Sequence, residues 1–510
     1  MENRESSALL SRLDRGESLP TVVAEESAAA CVKLLLSACR SDRFHPDLPP
    51  FRLLCRLATT PDQEVAALTT ALIYHQVVEP LCDDFSAIAC TQIHQLLAGL
   101  VAFIATTPGG RHLAELLGQC QLFEPEELLG RWRQIISPAG FPTPAELAKI
   151  EAILIPSRIT AGADVAITSV LIQRLAAALP QAEIILVGPA HLSELFHGLP
   201  RVRHLPFEID RHGNLAARLL FWPDLLATTG AALAGCPAEG ALVVDPDSRL
   251  TQLGLLPLAT GARTCHFPSQ ILTGPKEAGS LSALANHWLD LWLGKAAPAF
   301  PLVAPPPAKI AAALGFCGRL RDAGAERLLL VNLGVGGDQR KSLPEEFERR
   351  LLDRLLAREN AIIILDMGCG SEEKARAEKL VAWLAAAGRK TAQIRDEELP
   401  DRPAPFRHGT IALCSSMGTL AALTGGVDCY LGYDSCGQHL ANGADAQSLT
   451  IFAGFPTERF LQRWSPLSRN GRSTIIPVTD RNPSPAATAA LIELISNTVQ
   501  PSSAPEVNFE

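Results

Sequence analysis

The sequence predicts an α/β protein built from two Rossmann-like halves that face each other across a cleft, preceded by an all-α region. Three observations carry this expectation. From residue 152 onward, short runs rich in Ile, Leu and Val alternate with helical stretches, the pattern of βαβ units on a buried parallel sheet. Before that point the apolar residues fall at helical spacing and β-branched runs are rare. A proline-rich stretch, Ala296 to Lys309, can continue neither a helix nor a central strand and so divides the α/β part in two.

The chain has 510 residues, more than one hydrophobic core can serve, since single cores stop growing at roughly 250–300 residues. The expected division is an all-α region over 1–148, a first Rossmann-like domain over 149–300 and a second over 301–510. In the first part, Ala66-Ala67-Leu68 with Leu72-Ile73, and Ile93 with Leu96-Leu97 and Leu100, read as helical faces. Turns fall at Pro46 to Pro50, Pro61-Asp62 and Pro108-Gly109-Gly110. The first Rossmann-like half is expected to hold strands near Ile153–Ser157, Glu183–Gly188, Val202–Pro206, Ala241–Asp245 and Thr264–Phe267, with a helix over Ile167–Ala178. The second half is expected to hold strands near Leu328–Leu333, Ile362–Asp366, Thr410–Cys414, Asp428–Tyr433, Leu449–Ala453 and Ser473–Val478. A last helix is expected over Ala486–Thr498, with a frayed tail after Pro501.

Composition narrows the function classes. Hydrophobic residues make up 47% and charged residues 19%, which suits a folded interior. The net charge is −9 and no basic cluster stands out, which argues against nucleic acid as a partner. The longest unbroken apolar run, Leu96 to Ala105, is about half of the ~20 residues a spanning helix needs, so no membrane span is expected. The start, Met1-Glu-Asn-Arg-Glu, lacks the basic and then apolar order of a secretory signal. Thirteen cysteines are scattered singly, as expected of free thiols in a reducing compartment, so a cytoplasmic location is expected.

Four segments hold chemistry-bearing residues at strand ends, where ligands bind in open α/β sheets. Asp164, in Arg158-Ile-Thr-Ala-Gly162-Ala-Asp164, reads either as a helix N-cap or as a general base in the cleft. The turn Asn332-Leu-Gly334-Val-Gly336-Gly337-Asp-Gln-Arg340-Lys341 precedes a helix start marked by a Ser342/Glu345 capping box with Pro344 in the first turn. Glycine-rich backbone with a cation at a helix start suits a diphosphate, while a solvated lysine is the bland alternative. It is not a P-loop, because the G-x-x-x-x-G-K-[ST] spacing is absent. Asp366-Met-Gly368-Cys-Gly370-Ser371-Glu372-Glu373 offers carboxylates either to a helix dipole or to a nucleoside. Asp434-Ser435-Cys436-Gly437-Gln-His439 follows a strand, so backbone N–H groups, a hydroxyl and an imidazole could converge on one anion. The bland alternative has Asp434 capping the helix and His439 packed in the core.

Taken in order, these segments resemble glycosyltransferase family 9, the heptosyltransferases of lipopolysaccharide core synthesis, over about residues 151 to 480. Gly162-Ala-Asp164 with the following helix is similar to the family's acceptor-side Gly-Asp motif, with one extra alanine. Asp434-Ser435 with Gly437 and His439 is similar to its Asp-Ser/Thr-Gly-x-x-His motif, with Cys436 where the family has glycine. The resemblance implies a GT-B fold and an inverting, metal-independent transfer of a sugar from a nucleotide-diphosphate donor to a hydroxyl of a saccharide acceptor, the donor being a co-substrate rather than a cofactor. It implies Asp164 as catalytic base. It implies Lys341 on the donor phosphate, Gly334 in the turn beside it, Glu372 or Glu373 near the nucleoside, and Asp434, Ser435, Gly437 and His439 along the diphosphate. The pair Asp245-Pro-Asp247 reads as a turn rather than a metal site. A cell-envelope acceptor would bring the enzyme to the inner face of the membrane as a peripheral protein. Two other readings stay open: a non-catalytic nucleotide-sugar-binding protein that acts through its helical region, and an isomerase of the nucleotide sugar. Residues 1 to 148 resemble no family and name no partner.

Overall fold

The computed structural model describes residues 3–17, 19–210, 213–275, 279–357, 359–368 and 370–499; the tail expected to fray lies outside them. Two parallel sheets order the α/β part. The first contains β1 (Ala152–Pro156), β2 (Glu183–Gly188), β3 (Val202–Pro206), β4 (Ala241–Asp245) and β5 (Arg263–His266), in the order β3-β2-β1-β4-β5. The second contains β6 (Arg327–Asn332), β7 (Ala361–Asp366), β8 (Thr391–Arg395), β9 (Gly409–Cys414), β10 (Cys429–Tyr433), β11 (Ser448–Ala453) and β12 (Ser473–Val478), in the order β12-β11-β10-β6-β7-β9-β8.

β8 was not expected. Its sequence, Thr-Ala-Gln-Ile-Arg, holds one apolar residue of any size, Ile394, and an edge strand needs to bury no more than that. The linker is also shorter than expected at its far end, because Pro307 opens a helix, Pro307–Asp322, in the first turn where a missing N–H does no harm.

Residues Asn3 to Leu147 form only helices among the described residues. Their core is not separate from that of the first sheet. Leu154 of β1, Ile185 and Val187 of β2 and Val243 of β4 join Leu97, Leu100, Leu113 and Trp132 in one cluster. The alternate residues Ile153, Ile155, Ile184, Leu186 and Val244 face the opposite way, into a cluster that continues through Val303 and Phe316 to Leu328 and Leu330 of β6. A third cluster covers the far face of the second sheet, with Leu329, Val331, Ile363 and Leu365. Strand periodicity thus couples the helical region and both sheets into consecutive layers.

Three helical stretches are long and apolar enough to cross a membrane by length and composition: Gln63–Cys82, Ala87–Ala105 and Ala161–Ala178. This corrects the length expectation drawn from Leu96 to Ala105, because residues 87–95 lengthen the helix without adding an Asp, Glu, Lys or Arg. Two thirds of the Ala87–Ala105 window is buried inside the fold, where His94 Nε2 meets Leu253 O at 3.1 Å.

Candidate active site

β1 has β2 on one side and β4 on the other, and β6 has β7 and β10, so each sheet carries a topological switch point at the carboxyl end of its central strand. The turns that leave these ends meet around a cavity of about 330 Å³. The first sheet supplies Arg158, Ile159, Thr160, Asp247 and Arg249, and the second supplies Val335, Gly336, Arg340, Lys341 and Trp464. Tyr74, Glu79, Asp83 and Phe85 of the helical region close the remaining side. No motif in the sequence pointed to these last four.

Backbone strain collects here. Ten non-glycine residues among those described have left-handed φ, and five of them, Phe85, Ile159, Asp247, Gln252 and Leu253, line this cavity. A β-branched residue such as Ile159, at φ +77°, adopts that conformation only when its surroundings impose it. The segment before Glu79, Tyr74–Val78, is a π-helical turn, a form frequent at functional sites.

Asp164, the expected base, is fully enclosed. Ser157 Oγ (2.6 Å) and His191 Nε2 (3.0 Å) meet one carboxylate oxygen, and Arg158 N and Thr168 Oγ1 donate to the other at 2.9 Å each. It does not line the cavity, and it caps no helix by its side chain, since it lies inside a continuous helical stretch. Ser157 Oγ in turn accepts from Ile159 N at 2.8 Å. Through that relay Asp164 holds the strained turn whose next residues do face the cavity.

Lys341 faces the cavity from a 3-10 turn, Gln339–Lys341. The expected capping box is absent. The helix begins only at Glu345 with Pro344 as its cap, and Ser342 Oγ donates instead to Gln339 O. Lys341 Nζ lies 2.8 Å from Asp434 Oδ2 and 5.3 Å from the centre of the Phe460 ring. Burial pulls the ammonium pKa down, but the Asp434 carboxylate outweighs it and the net shift is upward, so the lysine is charged.

Behind Lys341 lie Asp434, Ser435, Gly437 and His439, which were expected along the diphosphate and do not themselves line the cavity. Asp434 does not cap the following helix, Cys436–Gly443; its second oxygen accepts from Gln438 Nε2 at 2.8 Å. Ser435 Oγ is buried at the start of that helix near the Tyr430 hydroxyl, and neither oxygen makes a well-formed hydrogen bond among the described residues. Gly437 has a packing cause, since a Cβ there would overlap the Tyr430 hydroxyl and sit 2.8 Å from Tyr430 Cζ. His439 is buried, and desolvation holds its pKa down at about 4 against the pull of Asp434. A neutral imidazole can offer an anion an N–H but no charge. Its ring packs edge-on against Trp464 at 5.7 Å, and its Cδ2 would lie 2.9 Å from a Cβ on Gly162 of the first sheet. Gly162 therefore allows the two halves to close on each other.

Gly334 and Glu373 line a small crevice with Asp366 and Arg376 at the carboxyl ends of β6 and β7. Glu373 Oε1 accepts from Gly336 N at 2.9 Å and so ties the glycine-rich turn to the helix that follows β7. Glu372 is exposed. Asp366, which opens the same candidate segment, accepts from Asn332 Nδ2 (2.6 Å) and Ser415 Oγ (3.0 Å), and burial raises its pKa to about 6.

Asp245 and Asp247 form a turn in which Ser248 N (2.8 Å) and Thr251 Oγ1 (2.5 Å) donate to Asp245. Ser269 Oγ donates to Asp247. His266 lies between them, 3.4 Å from each carboxylate, and their charge raises its pKa to about 9 despite burial.

No protein-family model and no curated protein matches the chain. Solved structures do align with it. The E. coli ADP-heptose lps heptosyltransferase II aligns with 69% of this chain and 98% of its own, at 14% identity and a TM-score of 0.47. The crystal structure of the glycosyl transferase family 9 from Veillonella parvula aligns with 69% of this chain and 94% of its own, at 14% identity and 0.47. The E. coli heptosyltransferase WaaC with ADP-2-deoxy-2-fluoro heptose aligns with 68% of this chain and 99% of its own, at 17% identity and 0.42.

Proposed function

We propose that the protein is an inverting, metal-independent glycosyltransferase of the GT-B type. It would move a sugar from a nucleotide-diphosphate donor to a hydroxyl of a saccharide acceptor, in the manner of the family that its motifs resemble. The observation that carries this reading is a charged, half-buried Lys341 on the cavity wall, with the buried Ser435 hydroxyl and the start of the Cys436–Gly443 helix packed behind it at the switch point of the second sheet. Such a set stabilises negative charge as the diphosphate departs. Glu373 holds the turn that carries Gly334 and Lys341, and Asp434 holds the lysine until a diphosphate competes for it. Asp164 has a positioning role in this geometry, because its carboxylate is taken up by four donors that fix the acceptor-side turn. A cell-envelope saccharide as acceptor would place the enzyme in the cytoplasm, peripherally at the inner face of the membrane.

The enclosure of Asp164 also favours a second reading, a nucleotide-sugar-binding protein without transfer activity. Thermal-shift titration with ADP, UDP, GDP and CMP and their sugar conjugates separates ligand class from activity. Stabilisation by one nucleoside diphosphate, together with its release from the matching sugar donor, supports the transferase. Stabilisation without release supports the second reading, and no stabilisation by any of them refutes both.

A further inference from the structure

We propose that Asp83, a residue of the helical region, is the carboxylate that takes the proton from the attacking hydroxyl, so that the helical region completes the active site. This rests on the transferase reading above. Five acidic residues line the cavity: Glu79, Asp83, Asp210, Asp247 and Asp338. Glu79 meets His75 Nδ1 at 3.0 Å, Asp247 meets Ser269 and His266, and Asp338 is paired with Arg340 at 2.8 Å. Asp210 also has a partner. The carboxylate of Asp83 accepts no hydrogen bond and makes no ion pair among the described residues. A base must keep a lone pair for its substrate, and this is the cavity carboxylate whose oxygens are free.

The surroundings tune it to that task. Burial pushes the Asp83 pKa up to about 6, against the pull of Lys341 and Arg249 and with the push of Glu79 and Asp434. A base with a pKa just below neutral is ionised at pH 7 and still strong enough to draw a proton in the transition state. Lys341, the residue read as the diphosphate anchor, lines the same cavity as Asp83, and its charge is among those that pull on the Asp83 carboxyl. The base would thus sit on the flank of the cavity where the bond from sugar C1 to the diphosphate oxygen breaks. In the step, the acceptor oxygen forms a bond to C1 as its proton passes to Asp83. The diphosphate oxygen leaves with the electron pair of the broken bond.

The helical region is fixed to the second half at this point. Arg459 Nη1 donates to Phe85 O at 2.6 Å, the Phe85 and Phe460 rings lie 6.4 Å apart, and Arg463 stacks over Phe85 at 5.8 Å. Asp83 is therefore held two residues from a contact with the same segment that packs on Lys341 through Phe460.

The test uses the full chain and water as the acceptor, which needs the same base. Release of nucleoside diphosphate from ADP-heptose and from ADP-, UDP- and GDP-hexoses is followed as a function of pH, with affinity for the free diphosphates measured alongside. The wild type is expected to show a rate that rises with pH to a half-maximum near 6. Asp83→Asn is expected to lose about 10²–10⁴-fold in kcat and the rising limb, with diphosphate affinity kept. If Asp83→Asn hydrolyses at the wild-type rate with the same limb, the base assignment falls and the transferase reading stands. If the wild type binds no diphosphate and releases none, the transferase reading falls and takes this assignment with it. Should the variant not fold, the wild-type profile decides alone, since a rate flat across pH 5 to 7 overturns the proposal.

Discussion

Replacing Lys341 by Met separates its two roles, because the stem stays and only the ammonium is lost. The ammonium lies 2.8 Å from Asp434, whose residue is 4% exposed, so Lys341→Met leaves that carboxylate buried with Gln438 as its remaining donor. Breaking one side of a buried pair costs about 3–5 kcal/mol in stability. Changing both residues, in Lys341→Met/Asp434→Asn, removes the uncompensated charge and is expected to recover most of that loss. Diphosphate affinity follows a different rule. A hydrogen bond to a charged group contributes about 1.5–3 kcal/mol, or roughly 10- to 150-fold in Kd, and the double variant has no cation to make it. Calorimetric titration with the diphosphate that stabilises the wild type, run beside denaturant unfolding of all three proteins, is the assay. Recovered stability with unrecovered binding is the expected result. A double variant that binds the diphosphate as tightly as the wild type refutes the anchor and leaves Lys341 a structural partner of Asp434.

Three further outcomes follow from single contacts. Gly437→Ala places a Cβ against a fully buried Tyr430, so it is expected to cost about 1–3 kcal/mol, and adding Tyr430→Phe should return part of this by removing the overlapping hydroxyl; equal unfolding of Gly437→Ala and wild type in urea would count against it. Gly162→Ala puts a Cβ 2.9 Å from His439 Cδ2 and 3.2 Å from Cys436 Cα, so the two halves should part slightly and the radius of gyration from X-ray scattering should rise; an unchanged curve with unchanged affinity refutes the closure argument. His266 has a raised pKa, so the stability from its protonation is complete below the unfolded value of about 6.5 and is lost as pH rises through about 9. Asp247 has a lowered pKa, so its contribution is present above its unfolded value of about 3.9 and is lost at lower pH. Unfolding free energy is therefore expected to fall between pH 7 and 10 in the wild type and to lose that fall in His266→Gln, and a pH-independent wild type would contradict the charged histidine.

The strands were legible because a central parallel strand must be apolar on both faces, and Ala-Ile-Leu-Ile-Pro or Ala-Ile-Ile-Ile-Leu-Asp can be little else. Thr-Ala-Gln-Ile-Arg was missed because an edge strand has no such obligation. Lys341, Asp434, Ser435 and His439 could be picked out because each follows a strand end within one short motif, and order along the chain then brought them together. The role of Asp164 was harder to read. A carboxylate after a strand looks the same in the sequence whether it faces a cleft or is closed in by Ser157, Arg158, Thr168 and His191, and only one of those four lies beyond its own local segment.

Asp83 lay outside any such reasoning. The charged groups that act on it, Lys341, Arg249 and Asp434, are between 166 and 351 positions away, so nothing local marks it, and Asp83-Asp84 lies in a turn before the Ser86 cap. What betrays it is subtraction in three dimensions: once the partners of the other cavity carboxylates are assigned, one remains without any. A helical region that shares its core with the first sheet is also a stiff mount for such a group, since Asp83 cannot move without disturbing Phe85 and the cluster around it. If the α-region served only as a handle for another protein, its removal from the cavity wall should leave donor hydrolysis intact. Asp83→Asn puts that to the test with the change of a single atom.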